Sequence, residues 1–345
     1  MTDVSIVVCY YNAEKWLEEC IRSVYDQDFI GTIEFSLYND GSKDSSYEIV
    51  ERWRNLLEER GISVKLGGHS EPHPKGVGFA KNCAVRQSNG EYICFLDADD
   101  VLRKDRVTKQ YEATKDNKNI ITGSQIWREP EGSTVRFTEW ANTLTPEQLY
   151  TQMFTSHGPT VVMPTWFCAR EVFERVGGFN EGGKGVPEDM LFFYEHIRQG
   201  GSIQRVDEPL LMYRYHPEAT TFSIHEDTIW GHRIAFFQER VLSKWSKFTV
   251  WNAGKQGRKF YRSISQHNRN KVLSFCDVDE KKIKKGVYIY EDSEEMPRPK
   301  VPIIHFSQAK PPIVICVKQA LTSGSFEENL ASLGLTEGRD YYHFN

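Results

Sequence analysis

Runs with strand character alternate with amphipathic segments along the first hundred residues of the chain. The strand-like runs are at 4–9, 33–38, 62–66 and 92–96. Short apolar runs of this kind, bounded by turn residues, are typical of strands buried in a parallel sheet. Between them apolar residues recur at helical spacing, as they do from Trp16 to Val24. Strands that alternate with helices in this way predict βαβ units and a mainly parallel sheet.

A second alternating block begins near residue 247. It has strand patterns at 248–251, 271–276 and 313–318, and helical patterns at 260–264 and 326–333. The chain is long enough for two domains of ordinary size. We therefore predict an α/β protein in which residues 1–242 form a Rossmann-like domain, a mainly parallel sheet with flanking helices. Residues 243–345 are expected to form a smaller Rossmann-like α/β domain.

The composition is that of a globular protein that folds in water. The 345 residues are 39% hydrophobic and carry a formal net charge of −5. No run approaches the ~18 apolar residues of a membrane span. The first residues lack the basic and apolar regions of a secretory signal, so we expect a cytoplasmic protein. Seven scattered cysteines without a Cys-x-x-Cys pair favour reduced thiols over disulfides or zinc ligands.

The charge is distributed unevenly along the chain. Residues 240–285 contain thirteen Lys and Arg but three Asp and Glu. Such asymmetry occurs in proteins that bind nucleic acid, although ordinary solvated helix faces produce the same pattern. The candidates for nucleic-acid contact are Lys255, Arg258, Lys281, Lys282, Lys284 and Lys285.

Three carboxylates, those of Asp97, Asp99 and Asp100, follow the fourth strand-like run. Ligands of an open parallel sheet bind outside the carboxyl ends of its strands, which would bring Tyr10, Tyr11 and Asp40 to the same edge. Crowded carboxylates repel one another unless they are solvated or share a cation. The pattern fits a Mg²⁺ or Mn²⁺ site that holds a nucleoside diphosphate, and it also fits an exposed acidic loop.

Three later residues carry groups suited to catalysis or metal binding. Glu188 and Asp189 begin a predicted helix after a glycine-rich loop, so a carboxylate there is either a general base or a helix cap. His216 follows a predicted strand and precedes Pro217, a place for a metal ligand or for a surface turn. Spacing alone does not choose between these alternatives.

Six short motifs follow one another along the first 216 residues. They are SIVVCYYN at 5–12, NDGSKD at 39–44, GFAKN at 78–82, DADD at 97–100, PED at 187–189 and YRYH at 213–216. By these motifs the chain from Val4 to Leu242 resembles family 2 glycosyltransferases with the GT-A fold. The resemblance implies an inverting transfer from a nucleotide sugar, with Mn²⁺ or Mg²⁺ as cofactor.

The same resemblance implies a role for each matching residue. Asp189 would be the catalytic base, and Asp99 and His216 would lie at the metal. The nucleotide sugar would be bound by Cys9, Tyr10, Asn12, Asp40, Lys81 and Asp97.

At three positions the chain departs from the family pattern. Cys9 stands where the family usually has Pro, Asn39 where it has Asp, and Lys81 where it has Arg. A lysine meets a phosphate as a point charge and not through the two-pronged contact of arginine. These departures concern the nucleotide contacts more than the activity.

Five further segments resemble the members of this family that galactosylate queuosine in tRNA. They are 158–170, 183–196, 249–263, 275–286 and 311–318. The resemblance implies UDP-galactose as donor and the cyclopentenediol of queuosine in the tRNA-Tyr anticodon as acceptor. Trp166 would stack on the modified base or pack in the core, and Glu188 would lie beside the acceptor. The basic residues from Lys255 to Lys285 would make residues 243–345 a tRNA-docking domain.

Other functions stay open on the sequence. One is an N-acetylglucosaminyltransferase that acts on a glycan, and another is a catalytically weak RNA-binding protein that retains the fold. Gly254-x-x-Gly257 follows a strand, and Asp277 lies about twenty residues further on, as in dinucleotide-binding sites. Lys259 stands where a third glycine would be expected, which favours a structural or RNA-docking turn over NAD binding.

Overall fold

The chain divides into two compact units. The structure, a computed structural model, describes residues 2–219, 223–318 and 321–345. Unit 1 comprises Met1–Leu149 and Gly158–His225, and unit 2 comprises Tyr150–His157 and Glu226–Asn345.

Unit 1 contains a mixed sheet. Its strands are β1 (Val4–Tyr10), β2 (Ile33–Asn39), β3 (Ser63–Gly68), β4 (Tyr92–Phe95), β5 (Val101–Leu102), β6 (Ile120–Glu129), β7 (Phe167–Ala169) and β8 (Ser202–Arg214). Their order in the sheet is β3-β2-β1-β4-β7-β6-β8-β5. The first four are mutually parallel, β7 is antiparallel to both neighbours, β6 and β8 are parallel, and β5 is antiparallel to β8.

Helices connect these strands. They are α1 (Leu17–Tyr25), α2 (Ser46–Glu59), α3 (Val77–Arg86), α4 (Arg106–Thr114), α5 (Val135–Thr143), α6 (Gln148–Thr151), α7 (Arg170–Val176) and α8 (Glu188–Arg198). None of the helices in the described ranges is long and apolar enough to cross a membrane.

The first half of the sheet follows directly from the apolar pattern. Every residue of β1 from Val4 to Val8 is buried, as expected for a strand covered by helices on both faces. Leu17, Ile21 and Val24 of α1 join the same core cluster, because their spacing of three to four places them on one helix face. The predicted parallel βαβ arrangement is confirmed.

Unit 2 contains a second sheet with helices. Its strands are β9 (Phe248–Trp251), β10 (Val272–Asp277), β11 (Val287–Ile289), β12 (Lys300–His305), β13 (Ile313–Ile315) and β14 (Tyr341–His343). Its helices are α9 (Glu226–Arg240), α10 (Lys255–Ser263), α11 (Gln266–Arg269), α12 (Glu280–Lys285) and α13 (Ser325–Ala331). The order is β11-β12-β10-β9-β13-β14, with β11 antiparallel to β12 and the other pairs parallel. The chain first adds β10, β11 and β12 on one side of β9 and then β13 and β14 on the other side. This order confirms the predicted Rossmann-like fold of the second sheet.

The boundary between the units differs from the predicted one. Unit 2 begins at Glu226, not at residue 243, and it includes the segment Tyr150–His157. The aromatic ring of Phe154 in that segment lies 5.9 Å from the ring of Phe236 and 4.9 Å from that of Phe237, both on α9. The amphipathic pattern of a helix does not specify which sheet the helix will cover, and α9 belongs to unit 2 in the structure.

Candidate active site

The carboxyl end of β4 carries the predicted acidic turn. The backbone N–H of Asp100 donates to the carbonyl of Asp97 at 3.1 Å, which closes the turn. Asp100 is fully buried, and its Oδ1 accepts the backbone N–H of Arg214 at 2.9 Å. Asp100 therefore ties the turn to the end of β8, while Asp97 and Asp99 stay half-buried at the sheet edge.

Asp99 and His216 are brought together from distant parts of the chain. Oδ2 of Asp99 lies 2.8 Å from Nε2 of His216. Burial, and then the charge of Asp97, raises the pKa of Asp99, and the hydrogen bond to His216 opposes that rise. Nε of Arg214 donates to the carbonyl of Asp99 at 2.8 Å, and its guanidinium lies 4.6 Å from the Trp16 ring centre. Sequence reasoning missed Arg214, although the motif at 213–216 contains it.

Lys81 connects the acidic turn to the start of α8. Its ammonium lies 3.3 Å from Oδ1 of Asp97, 3.5 Å from Oε1 of Glu188 and 3.2 Å from Sδ of Met163. Burial by itself lowers the pKa of Lys81, but the carboxylates of Asp97 and Glu188 outweigh it and raise the pKa above its ordinary value. Lys81 is 5% exposed, so this ammonium is engaged with protein groups and not directed at solvent.

Asp189 is half-buried in the first turn of α8. Its Oδ1 accepts the backbone N–H of Met190 at 2.6 Å. Burial, and then the charge of Glu188, raises the pKa of Asp189 to about 7, and Lys81 acts in the opposite direction. A carboxyl group with a pKa near neutrality is suited to proton transfer at physiological pH.

Asp40 holds the loop that precedes α3. Its Oδ1 lies 2.8 Å from Nε2 of His69 and accepts the backbone N–H of Lys75 at 3.0 Å, and its Oδ2 accepts that of Gly76 at 2.9 Å. The carboxylate is buried at the end of β2. Through these hydrogen bonds Asp40 fixes the position of the loop before α3. Its predicted contact with a nucleotide base stays a prediction.

Of the two tyrosines predicted at the end of β1, one is buried and one is exposed. The side chain of Tyr10 lies in the core, and its predicted contact with the nucleotide sugar stays a prediction. Side chains alternate along a strand, and the next residue, Tyr11, is 44% exposed.

Burial raises the pKa of the Cys9 thiol to about 12. Oδ1 of Asn12 accepts the backbone N–H of Lys43 at 2.9 Å, which joins this loop to the one after β2.

Two of the predicted acceptor residues are not on the surface. Trp166 is 0% exposed, its Nε1 donates to the carbonyl of Val161 at 2.8 Å, and its ring packs against those of Phe179 and Phe192. The prediction that Trp166 stacks on a base is therefore wrong, because a buried ring offers no face to a ligand. Glu188 is also buried, and its described ionic partner is Lys81.

The basic residues of unit 2 differ in solvent exposure and in the contacts of their charged groups. Lys255, Lys281, Lys284 and Lys285 are exposed. Nζ of Lys282 lies 3.0 Å from Oδ2 of Asp277. The guanidinium of Arg258 lies 5.1 Å from the ring centre of Tyr288, and that residue is half-buried.

The turn after β9 shares features with dinucleotide-binding turns but lacks an available acidic group. Asn252 has a φ of 109°, and a Cβ on Gly257 would lie 1.8 Å from the Asn252 carbonyl oxygen, so helix and strand meet closely there. Asp277 already accepts bonds from the amides of Ala253, Val278 and Asp279 and from Lys282. They are 2.9, 2.9, 3.0 and 3.0 Å long. A ribose hydroxyl would find this carboxylate occupied, which favours the structural interpretation over NAD binding.

The groups at the unit 1 sheet edge suit a divalent cation that also binds phosphate. Within the described residues no group of three or more His, Cys, Asp or Glu is placed to hold a metal ion. Mg²⁺ and similar ions commonly use one or two protein ligands and complete their shell with water and substrate phosphates. Oδ2 of Asp99 and Nε2 of His216 lie 2.8 Å apart, so both could reach one ion, and their predicted role as metal ligands stays a prediction.

A mixed, mostly parallel α/β sheet with acidic groups at the carboxyl ends of its strands is the architecture of GT-A glycosyltransferases. The family model of glycosyl transferase family 2 matches residues 5–177. The chain belongs to this family of glycosyltransferases.

Two relatives in the family are similar in sequence to parts of this chain. The uncharacterized glycosyltransferase EpsJ of Bacillus subtilis is 27% identical over 243 residues, 69% of this chain and 68% of EpsJ. The poly(ribitol-phosphate) β-N-acetylglucosaminyltransferase TarS of Staphylococcus aureus is 35% identical over 106 residues, 30% of this chain. That match covers 18% of TarS.

Solved structures show the same fold. TarS residues 1–349 in complex with UDP-GlcNAc superimposes with a TM-score of 0.55 at 19% identity, covering 77% of this chain and 71% of that one. The mannosyltransferase PcManGT from Pyrobaculum calidifontis, in complex with GDP-Man and Mn²⁺, gives a TM-score of 0.50 at 18% identity. The latter match covers 69% of this chain and 64% of the mannosyltransferase.

Proposed function

We propose that the chain is an inverting, metal-dependent glycosyltransferase that transfers galactose from UDP-galactose to the queuosine cyclopentenediol of tRNA-Tyr. The observation that carries the chemistry is the position of Lys81 between Asp97 and Glu188. Through it the acidic turn with the Asp99–His216 pair and the helix start with Asp189 belong to one network. The galactose donor and the queuosine acceptor rest on the resemblance of the five segments described above.

In the proposed reaction Asp189 takes the proton of the acceptor hydroxyl while that oxygen bonds to the anomeric carbon. The bond between the anomeric carbon and the diphosphate breaks, and its electron pair leaves with UDP. Asp99 and His216 would hold the divalent cation, which when bound neutralises charge on the diphosphate. Lys81 pairs with the carboxylates of Asp97 and Glu188 and offsets their negative charge between the two parts of the site.

A polyanionic acceptor is supported by the exposed lysines of unit 2. Lys255, Lys281, Lys284 and Lys285 present ammonium groups to solvent in the most basic part of the chain. Lysines that neutralise backbone phosphates provide most of the affinity of proteins for nucleic acid. Unit 2 is therefore proposed as the part that docks tRNA.

A second candidate function is transfer of N-acetylglucosamine to a glycan. It is favoured by the match to TarS, an N-acetylglucosaminyltransferase whose solved structure contains UDP-GlcNAc. The two candidates share the chemistry at Asp189 and differ in the donor sugar and in the acceptor.

The test is a transfer assay with purified protein, Mn²⁺, UDP-galactose and queuosine-containing tRNA, read by mass spectrometry of the digested RNA. We expect one added hexose, abolished when the metal is chelated and absent on tRNA that carries guanine instead of queuosine. Parallel reactions use UDP-N-acetylglucosamine. Transfer of N-acetylglucosamine to a glycan, with none of hexose to tRNA, would support the second candidate. Binding of tRNA without turnover of either donor would indicate a catalytically weak RNA-binding protein.

Charge reversal on α12 tests the docking proposal. We expect the triple change Lys281→Glu, Lys284→Glu and Lys285→Glu to weaken tRNA binding and reduce the slope of log affinity against log salt. The reduction should be about 0.7–0.9 for each phosphate that the protein no longer neutralises. Lys282 is left unchanged because its ammonium pairs with the buried Asp277.

A matched control reverses three exposed lysines of unit 1: Lys104, Lys115 and Lys118. It changes the net charge by the same amount, so it separates a local effect from a general weakening of attraction. An equal salt slope in both triple variants would show that α12 is only a solvated face.

A further inference from the structure

Arg214 at the end of β8 is fixed by contacts with the acidic turn and with α1. Its backbone N–H donates to Oδ1 of Asp100 at 2.9 Å, and its Nε donates to the carbonyl of Asp99 at 2.8 Å. One terminal nitrogen of the guanidinium donates to Oε2 of Glu19, on α1, at 2.6 Å. The side chain of Arg214 is 10% exposed. The guanidinium is therefore held in one place by both the turn and the helix.

The ring of Trp16, the residue before α1, contacts this guanidinium and the imidazole of His216. The guanidinium carbon of Arg214 lies 4.6 Å from the centre of the indole ring, within the range of a cation–π contact. The centres of the indole and imidazole rings are 5.6 Å apart, with an angle of 35° between their planes, a distance typical of packed aromatic rings. Trp16 thus connects the fixed Arg214 with His216.

Within the described residues, the imidazole of His216 lacks the second hydrogen bond to protein that often orients a metal-binding histidine. Such a histidine commonly donates its other ring N–H to a carboxylate or a backbone carbonyl. Nε2 of His216 lies 2.8 Å from Oδ2 of Asp99, whereas Nδ1 is buried without a protein partner in the part of the chain that the structure describes. The orientation of the ring therefore depends on what packs against it, and its described ring contact is with Trp16.

Core packing does not account for the position of Trp16. The indole is half-buried, and among the described residues it belongs neither to the core cluster of unit 1 nor to the partly buried side chains packed against that cluster. Trp53 is the contrasting case, because it packs against the cluster. Its ring lies 5.9 Å from that of Tyr25 and 5.7 Å from the guanidinium carbon of Arg22. The described ring contacts of Trp16 are instead those with Arg214 and His216.

We propose that Trp16 is a positioning residue of the metal site, which together with Arg214 holds the imidazole of His216 in the orientation that presents Nε2 beside Asp99. The inference rests on the proposed role of Asp99 and His216 as ligands of the divalent cation. Trp16 acts on the cation through His216. Loss of the indole should leave both ligands in the chain but allow the ring of His216 to rotate, which weakens the site for the cation.

The test measures Mn²⁺ binding to the protein–UDP complex in Trp16→Leu, Trp16→Met and Trp16→Phe, using the electron paramagnetic resonance signal of free Mn²⁺. We expect the dissociation constant for Mn²⁺ to rise about ten- to hundredfold in the Leu and Met variants, the usual effect of substituting a group that orients a metal ligand. Trp16→Phe should retain most of the affinity, because it keeps an aromatic ring beside the imidazole. UDP affinity in the presence of EDTA should stay that of the wild type in all three variants.

Pulsed electron paramagnetic resonance at saturating Mn²⁺ provides a second readout, the coupling between the metal and an imidazole nitrogen. The wild type and Trp16→Phe should show this coupling, and His216→Gln should lose it. In Trp16→Leu the coupling should be weaker than in the wild type even when every site is filled. A general loss of stability would not change the coupling in filled sites, so this measurement separates positioning from folding.

Trp53→Leu is the matched control, because Trp53 is also a half-buried indole beside an arginine, and its described contacts are with α1 and the core. Wild-type Mn²⁺ affinity and coupling in Trp16→Leu would overturn the inference, as would equal changes in Trp53→Leu. Failure of the proposed function gives a different result. If His216→Gln and Asp99→Asn bind Mn²⁺ as the wild type does, the metal site itself is misassigned. Weakened binding in His216→Gln with unaffected Trp16→Leu removes only the role of Trp16.

Discussion

Asp189→Asn should lower the rate of glycosyl transfer by a factor on the order of 10²–10⁴, the usual contribution of general acid–base catalysis. An amide has nearly the shape of the carboxylate but cannot accept the proton from the acceptor hydroxyl. Donor binding should persist, because the variant leaves Asp99, His216 and Lys81 in place. Single-turnover rates and donor affinity from calorimetry would separate the two effects, and normal turnover would remove Asp189 as the base.

The pH dependence of the wild type provides a second readout of the same group. Burial and Glu188 raise the pKa of Asp189 to about 7, and the base works in its deprotonated form. Transfer should therefore fall as the pH decreases through about 7. Glu188→Gln removes the neighbouring negative charge, which should lower the pKa of Asp189 and move the acidic limb to lower pH. An unmoved limb in this variant would contradict the electrostatic origin of the shift.

Lys81→Met should be the most destabilising of the changes considered, by about 3 kcal/mol in the free energy of unfolding. Removing one partner of a buried ion pair usually costs about 3–5 kcal/mol, because the remaining charge is buried without compensation. We expect a cost at the lower end of this range because the Asp97 side chain is partly exposed, although that of Glu188 is nearly buried. Chemical denaturation at pH 7, with the slope of the transition compared between variants, measures the change.

Lys115→Met is the matched control for that measurement. Lys115 forms an exposed pair with Glu112 on unit 1, and exposed pairs contribute little to stability. Adding Glu188→Gln to Lys81→Met should restore part of the stability, because it removes one of the uncompensated charges. A destabilisation below about 1 kcal/mol in Lys81→Met would show that the two carboxylates are solvated well enough without the ammonium.

Apolar periodicity was sufficient to predict the parallel core of unit 1 and the second Rossmann-like sheet. A strand buried on both faces, such as β1, records its position in its own residues, since every side chain from Val4 to Val8 must be apolar or small. The sheet positions of β7 and β8 cannot be predicted from their own residues, because their pairing depends on residues far away in the chain. The same limit applies to α9, because its apolar pattern alone does not specify which sheet it covers.

The acidic turn, the Glu188–Asp189 helix start and His216 were predictable because each follows a strand or begins a helix. Tertiary structure decided what each group contacts. It placed Trp166 and the side chain of Tyr10 in the core, made Tyr11 the exposed ring, and set Lys81 between two carboxylates. A sequence thus determines which groups reach the edge of the sheet, because strand and helix periodicity are local properties. The position of Gly158 opposite Oδ2 of Asp189 depends on chain segments that meet only in the folded protein.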